Sequence, residues 1–70
     1  MMIDEIVQEW ISEMMKNYGI TKVEDLTDDI INLEIKDAKD NIENLKLFGD
    51  KLGIACSEEY IEWLKDHLKG

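Results

Sequence analysis

The sequence predicts an all-α fold: a three-helix bundle with a long central helix and a short helical turn before it. Three observations carry this. Between Thr27 and Leu52 the apolar residues Ile31, Ile35, Ala38, Ile42, Leu45 and Leu52 recur at alternating steps of four and three, with Gly49 holding its place in the series. At about 100° per residue that spacing is one face of a helix. Proline is absent, so no helix interior loses a backbone donor to it. Gly19-Ile20 and Gly53-Ile54 repeat one stop signal, a glycine able to turn left-handed followed by a residue that folds back onto the last turn. The chain therefore reads as a single helical domain, 1–70, with helices over 3–18, 28–52 and 57–69 and a turn of helix over 22–26.

The first helix presents Ile3, Ile6, Val7, Trp10, Ile11, Met14, Met15 and Tyr18 as a wide apolar face. Asp4 and Glu5 in its first turn and Lys16 in its last complement the helix dipole. Glu5, Glu9 and Glu13 stand four apart along its polar side. Like charges at that spacing repel, and the row reads either as a solvated face or as an acidic strip offered to a basic partner.

Thr21 with Glu24 has the spacing of a capping box, and Thr27 with Asp28 and Asp29 supplies a second start signal. In the long helix that follows, Ile30 and Phe48 flank the apolar stripe and are expected to widen it. Leu33 and Leu47 lie nearly opposite it, on the side a simple amphipathic helix gives to water, fourteen residues and roughly 21 Å apart. Two leucines on that side mark a contact face for a second copy or a helical partner. The helix can stop with Gly49 as a left-handed cap or run on to Gly53, and the repeated glycine-isoleucine signal with Leu52 in register favours the second. Continuation to Leu52 gives a rod of roughly 37 Å, against 20 to 24 Å for its neighbours, so that one end projects. Gly49 then sits inside the helix, where a close neighbouring helix would suit it.

The last helix is expected to open with Ser57 as N-cap, with Glu58 and Glu59 in its first turn, and to bury Ile61, Leu64 and Leu68 with Tyr60 widening that stripe. Cys56 and Ile61 fit a hydrophobic staple, and Trp63 and His67, four apart, are placed to stack or to form an aromatic patch. Helices one and three are each expected antiparallel to the long one.

One cysteine excludes an internal disulfide, and one cysteine with one histidine is too few for a structural zinc site. Cys56 and His67 stand about 15 Å apart along the last helix, too far for a nucleophile and its base. No calcium-loop, Glu-x-x-His or phosphate-binding glycine pattern occurs. The expectation is a non-enzymatic protein with no catalytic residue, cofactor or metal. No segment has the apolar run of a membrane span and the N-terminus lacks a signal-like pattern, so the chain reads as soluble and cytoplasmic.

Charge narrows the partner class. Seventeen acids oppose eight lysines and no arginine, for a net −9. Phosphate neutralisation needs Lys and Arg, so direct nucleic-acid binding is not expected. Residues 1–35 hold nine acids and two lysines, residues 36–70 eight and six, and a field so lopsided steers a basic protein. The first reading is a small acidic interaction factor, an inhibitor, antitoxin-like protein or nucleic-acid-charge mimic, whose Glu5, Glu9, Glu13, Asp28 and Asp29 engage a basic partner surface. The second is a homo-oligomerisation module, a homodimer through Leu33, Leu47 and Trp63, with acidity serving solubility. A third is a helix-binding adaptor with a groove beside Trp10, Met14 and Met15. Isoleucine, lysine and asparagine without arginine or proline fit an AT-rich genome, a phage or plasmid among the sources.

Overall fold

A computed structural model describes residues 2–70. Helices α1 (Ile3–Asn17), α2 (Asp28–Phe48) and α3 (Lys51–Asp66) follow one another, with a 3₁₀ turn at Val23–Asp25 between the first two and no strand among the described residues. This is the all-α three-helix bundle that the periodicity predicts. The first stop signal works as read: Gly19 sits at φ 68°, the Gly19 N–H donates to the Lys16 carbonyl (3.1 Å), and that of Ile20 to the Met15 carbonyl (2.8 Å). Those two bonds define a Schellman ending. Thr27 caps α2, its hydroxyl accepting from the Ile30 N–H at 3.3 Å. The Thr21 and Glu24 capping box does not form, because Lys22 takes the N-cap position of the 3₁₀ turn and no side chain caps it.

The boundary between the second and third helices differs from expectation. Helix α2 ends at Phe48, and Gly49, at φ 68°, forms a second Schellman ending in which the Gly49 N–H donates to Lys46 and that of Asp50 to Leu45. The Asp50 carboxylate then accepts from the Gly53 N–H at 2.9 Å and caps α3. Asp50 thus closes one helix and opens the next. The heptad register through Leu52 and the Gly53-Ile54 pair suggested a continuous helix, but an aspartate three residues before Gly53 is the stronger local signal, since it satisfies a free N–H. Gly53 consequently lies in the first turn of α3, so close to the Asp50 carboxylate that a Cβ there would stand 2.6 Å from its Oδ2.

Three further expectations change with this boundary. Ser57 is no N-cap but an interior residue of α3, 1% exposed. Glu58 and Glu59 are mid-helix, and Cys56 is a core residue rather than half of a staple. Phe48, expected to widen the buried stripe, and Leu52, expected on it, are 85% and 47% exposed, and Leu68 is exposed too.

Helix α2, 21 residues and about 32 Å long, accounts for the 35 Å long dimension. The two-residue connection makes α2 and α3 an antiparallel hairpin. Helix α3, rather than the longest helix, is the shared partner: it packs most extensively on α2 and next on α1, while α1 and α2 touch little. The first turns of α1 lie against the last turns of α3, where Asp4 and Gln8 share a groove with Glu62 and Asp66, and its C-terminal end reaches Glu34 of α2. It therefore crosses the hairpin instead of running antiparallel to α2 alone.

The core collects Val7, Ile11 and Met14 from α1, Ile31, Ile35 and Ala38 from α2, and Cys56, Tyr60, Ile61 and Leu64 from α3. Leu26 joins them from the linker at 0% exposure. Full burial of a leucine contributes about 1.5–3 kcal/mol, which makes Leu26 the anchor of the segment joining α1 to α2. The chain end is tied to the same region: the Lys69 and Gly70 N–H groups donate to the two Asp28 carboxylate oxygens (2.9 and 3.2 Å), and Lys69 Nζ donates to the Glu24 carbonyl.

Because an L side chain at left-handed φ costs roughly 1–2 kcal/mol, Gly49→Ala is expected to lower the unfolding free energy by about that amount. Urea denaturation followed by circular dichroism measures it; a stability equal to or above wild type would refute the assigned turn.

Candidate functional site

The structure divides the acidic residues that the sequence singles out. Glu5, Glu9 and Glu13 are exposed on α1. Asp29 is exposed at the start of α2, whereas Asp28 is half-buried and accepts the two hydrogen bonds that hold the chain end. Asp28 is thus occupied as a clamp and belongs to the fold more than to a surface. The pairing of α1 with α3 adds Asp4 and Glu59, which sequence reading placed in first helical turns, and Glu62 and Asp66, which it gave no role. A groove of about 340 Å³ is lined by Asp4, Val7 and Gln8 of α1 and Glu59, Glu62, Trp63 and Asp66 of α3. Four carboxylates and no lysine face it. Among the described residues the one ion pair is Lys46 with Glu43, 3.7 Å apart and exposed, so the acids of α1 and α3 are uncompensated by neighbouring lysines.

Further along α1 a second polar site forms where the three helices meet. Both carboxylate oxygens of Glu34 accept tyrosine hydroxyls, Oε2 from Tyr18 at 3.0 Å and Oε1 from Tyr60 at 2.9 Å. Trp10 stands edge-on to Tyr60, with ring centroids 5.9 Å apart and planes at 89°. Beside them lies a cleft of about 230 Å³ lined by Trp10, Glu34, Asp37, Ala38, Asn41, Ser57 and Tyr60. A second hollow of about 270 Å³ on the same Trp10, Glu34 and Tyr60 includes Glu13, which joins the exposed acidic row to this site. The Tyr18 hydroxyl is raised above its ordinary value of 10.0, first by its hydrogen bond to Glu34, then by desolvation and the negative fields of Glu34 and Asp37. Tyr60 is raised further, chiefly by burial and next by the same hydrogen bond. Sequence reading missed this constellation. Tyr18 and Tyr60 were assigned to apolar faces, and Glu34, sixteen and twenty-six residues from its two partners, carries no local signal.

The apolar set is also separated. Leu33 is 49% exposed and Leu47 83%, as their positions off the stripe predict. Leu47 gathers Phe48 and Leu52 at the tip of the α2–α3 hairpin, while Trp63 lies toward the other end of α3 in the acidic groove. Trp63 stacks on His67 at 4.0 Å and 28°, and His67 Nδ1–H donates to the Trp63 carbonyl at 2.7 Å. Leu47 and Trp63 therefore stand at opposite ends of the α2–α3 hairpin, and Leu33, early in α2, lies toward the Trp63 end. Met14 is 4% exposed and belongs to the core, yet it lines the hollow of about 270 Å³ beside Trp10, whereas Met15 lines a different one with Ile20. No helix among the described residues is long and apolar enough to cross a membrane, and no group of three metal-binding side chains converges.

No family model, curated protein or solved structure matches the chain.

The raised tyrosines give a pH dependence whose sign is fixed. A phenol whose folded pKa exceeds its unfolded value contributes stability that is whole below the unfolded value, near pH 10, and is lost as pH rises toward and through the folded one. Tyrosinate absorbance against pH should show Tyr18 and Tyr60 ionising later than free tyrosine. In Glu34→Gln, Tyr18 should return nearly to its ordinary value and Tyr60 only in part, because burial still holds it up. Unchanged titration of both residues in that variant would contradict the hydrogen-bonded triad.

Proposed function

We propose that this chain is a small, non-enzymatic, acidic interaction factor that engages a basic surface on a partner protein, as an inhibitor, an antitoxin-like factor or a mimic of nucleic-acid charge. The observation that carries the reading is the α1–α3 groove, where Asp4, Glu59, Glu62 and Asp66 converge with no lysine. The exposed Glu5, Glu9 and Glu13 extend that field over the rest of α1. A surface of one sign steers a basic partner and raises the rate of encounter. Asp4 and Glu5 sit in the first turn of α1, where they complement the helix dipole, but Glu9, Glu13, Glu59, Glu62 and Asp66 lie outside any first turn and cap no helix. The buried, unpaired thiol of Cys56 suits the reducing cytoplasm.

Affinity capture from the native host at low and high salt, with mass spectrometry, tests the proposal. A basic partner should be retained at low salt, released at high salt, and lost from a triple variant Glu9→Lys, Glu13→Lys, Glu62→Lys. Retention that is insensitive to both salt and charge reversal would rule the reading out.

A second reading, a homo-oligomerisation module, rests on the hairpin tip, where Leu47, Phe48 and Leu52 are exposed together. It requires a dimer by sedimentation equilibrium at micromolar concentration that dissociates in Leu47→Glu with Phe48→Glu. A wild-type monomer under those conditions excludes it.

A further inference from the structure

The cleft beside Trp10 and Tyr60 differs in kind from the rest of the acidic surface. Apart from Asp28 and Asp50, which hold backbone N–H groups, the carboxylates elsewhere stand on exposed helix faces. Here Glu34 is half-buried and held through both oxygens by Tyr18 and Tyr60. Two aromatic rings at right angles form a corner next to it, and Asp37, Asn41 and the deeply buried Ser57 complete the lining. The hydroxyls that hold Glu34 are neutral donors, so they orient its charge without cancelling it. No lysine pairs with Glu34 or Asp37 among the described residues.

We infer that this cleft is a receptor for one organic cation, the guanidinium or ammonium head of an arginine or lysine side chain on the partner protein. The inference rests on the proposed engagement of a basic surface and names where that engagement is specific. The occupant follows from charge and shape. Aromatic faces attract a cation within about 6 Å of the ring centroid, and the attraction grows when the site is desolvated. Carboxylates supply the counter-charge, with a geometry that a planar guanidinium matches through two parallel hydrogen bonds. The amide oxygen of Asn41 and the hydroxyl of Ser57 can accept the donors that remain. An anion would meet Glu13, Glu34 and Asp37 with no cation to offset them, and a wholly apolar group would desolvate those carboxylates without compensation. The volume of about 230 Å³ suits one side-chain head and not a larger cofactor.

The full-length, isotopically labelled protein, titrated with a short arginine-rich peptide and separately with its citrulline counterpart, tests this by nuclear magnetic resonance. The arginine peptide is expected to move the Trp10 indole N–H and the Asp37 and Asn41 amides, and the citrulline peptide to move none of them. Asp37→Asn should weaken the arginine peptide roughly fivefold to tenfold, and Glu5→Gln, the same loss of charge away from the cleft, less than twofold. Both residues are exposed, so neither change threatens folding. Binding that leaves the Trp10 signal in place, or that falls equally in the two variants, overturns the cleft and leaves the wider acidic-surface reading standing. Absence of any salt-dependent binding by the arginine peptide overturns both.

Discussion

The turn at Gly49 and Asp50 is the constraint on which the remaining geometry depends. Its left-handed glycine and capping carboxylate reverse the chain within two residues, and so fix which residue of α3 lies beside which residue of α2. That register brings Tyr60 to Glu34, and the chain end at Lys69 and Gly70 to Asp28. A continuous α2 running to Leu52, with α3 opening at Ser57, would have shifted each of these partners by roughly ten residues, nearly three turns. The polar site at the centre of the bundle and the clamp at its end are thus two consequences of one local structure.

The surface follows from which helix is shared. Because α3 touches both other helices, its carboxylates at Glu59, Glu62 and Asp66 lie alongside those of α1. Bringing like charges together opposes folding. What offsets it is the buried cluster beneath, in which Leu26, Ile31 and Leu64 are wholly enclosed. The hydroxyl pair on Glu34 illustrates another response to the same problem: for a carboxylate drawn partly out of water, two donors replace part of its hydration.

Much of the fold is legible in the residues themselves. The steps of three and four along α1 and α2, the glycine after α1, and Thr27 before α2 each act locally, and each is found where the sequence places it. The α2–α3 boundary was misread because two local signals competed, apolar periodicity through Leu52 and the spacing of Asp50 to Gly53, and the hydrogen bond prevailed over the pattern. The site was hidden for a different reason. Glu34 looks like any acid between stripe positions, and Tyr60 like an apolar filler, until tertiary packing brings them together. The exposure of Leu33 and Leu47 was readable from helix geometry, but the placing of Leu47 and Trp63 at opposite ends of the hairpin was not, since it depends on where α3 begins.

The crossing of α1 over the hairpin has one more consequence. Contacts within α2 and α3 are close in sequence and form early and cheaply in entropy, whereas α1 must close a longer loop to dock. It also touches α2 little. Helix α1 is therefore the part of the molecule with the least to lose by opening, the first to exchange its amide hydrogens. A partner that grips acids of α1 and α3 together would hold that opening shut. Binding would then be linked to folding, each tightening the other in proportion to the ligand's saturation, and the free protein would be the looser of its two forms.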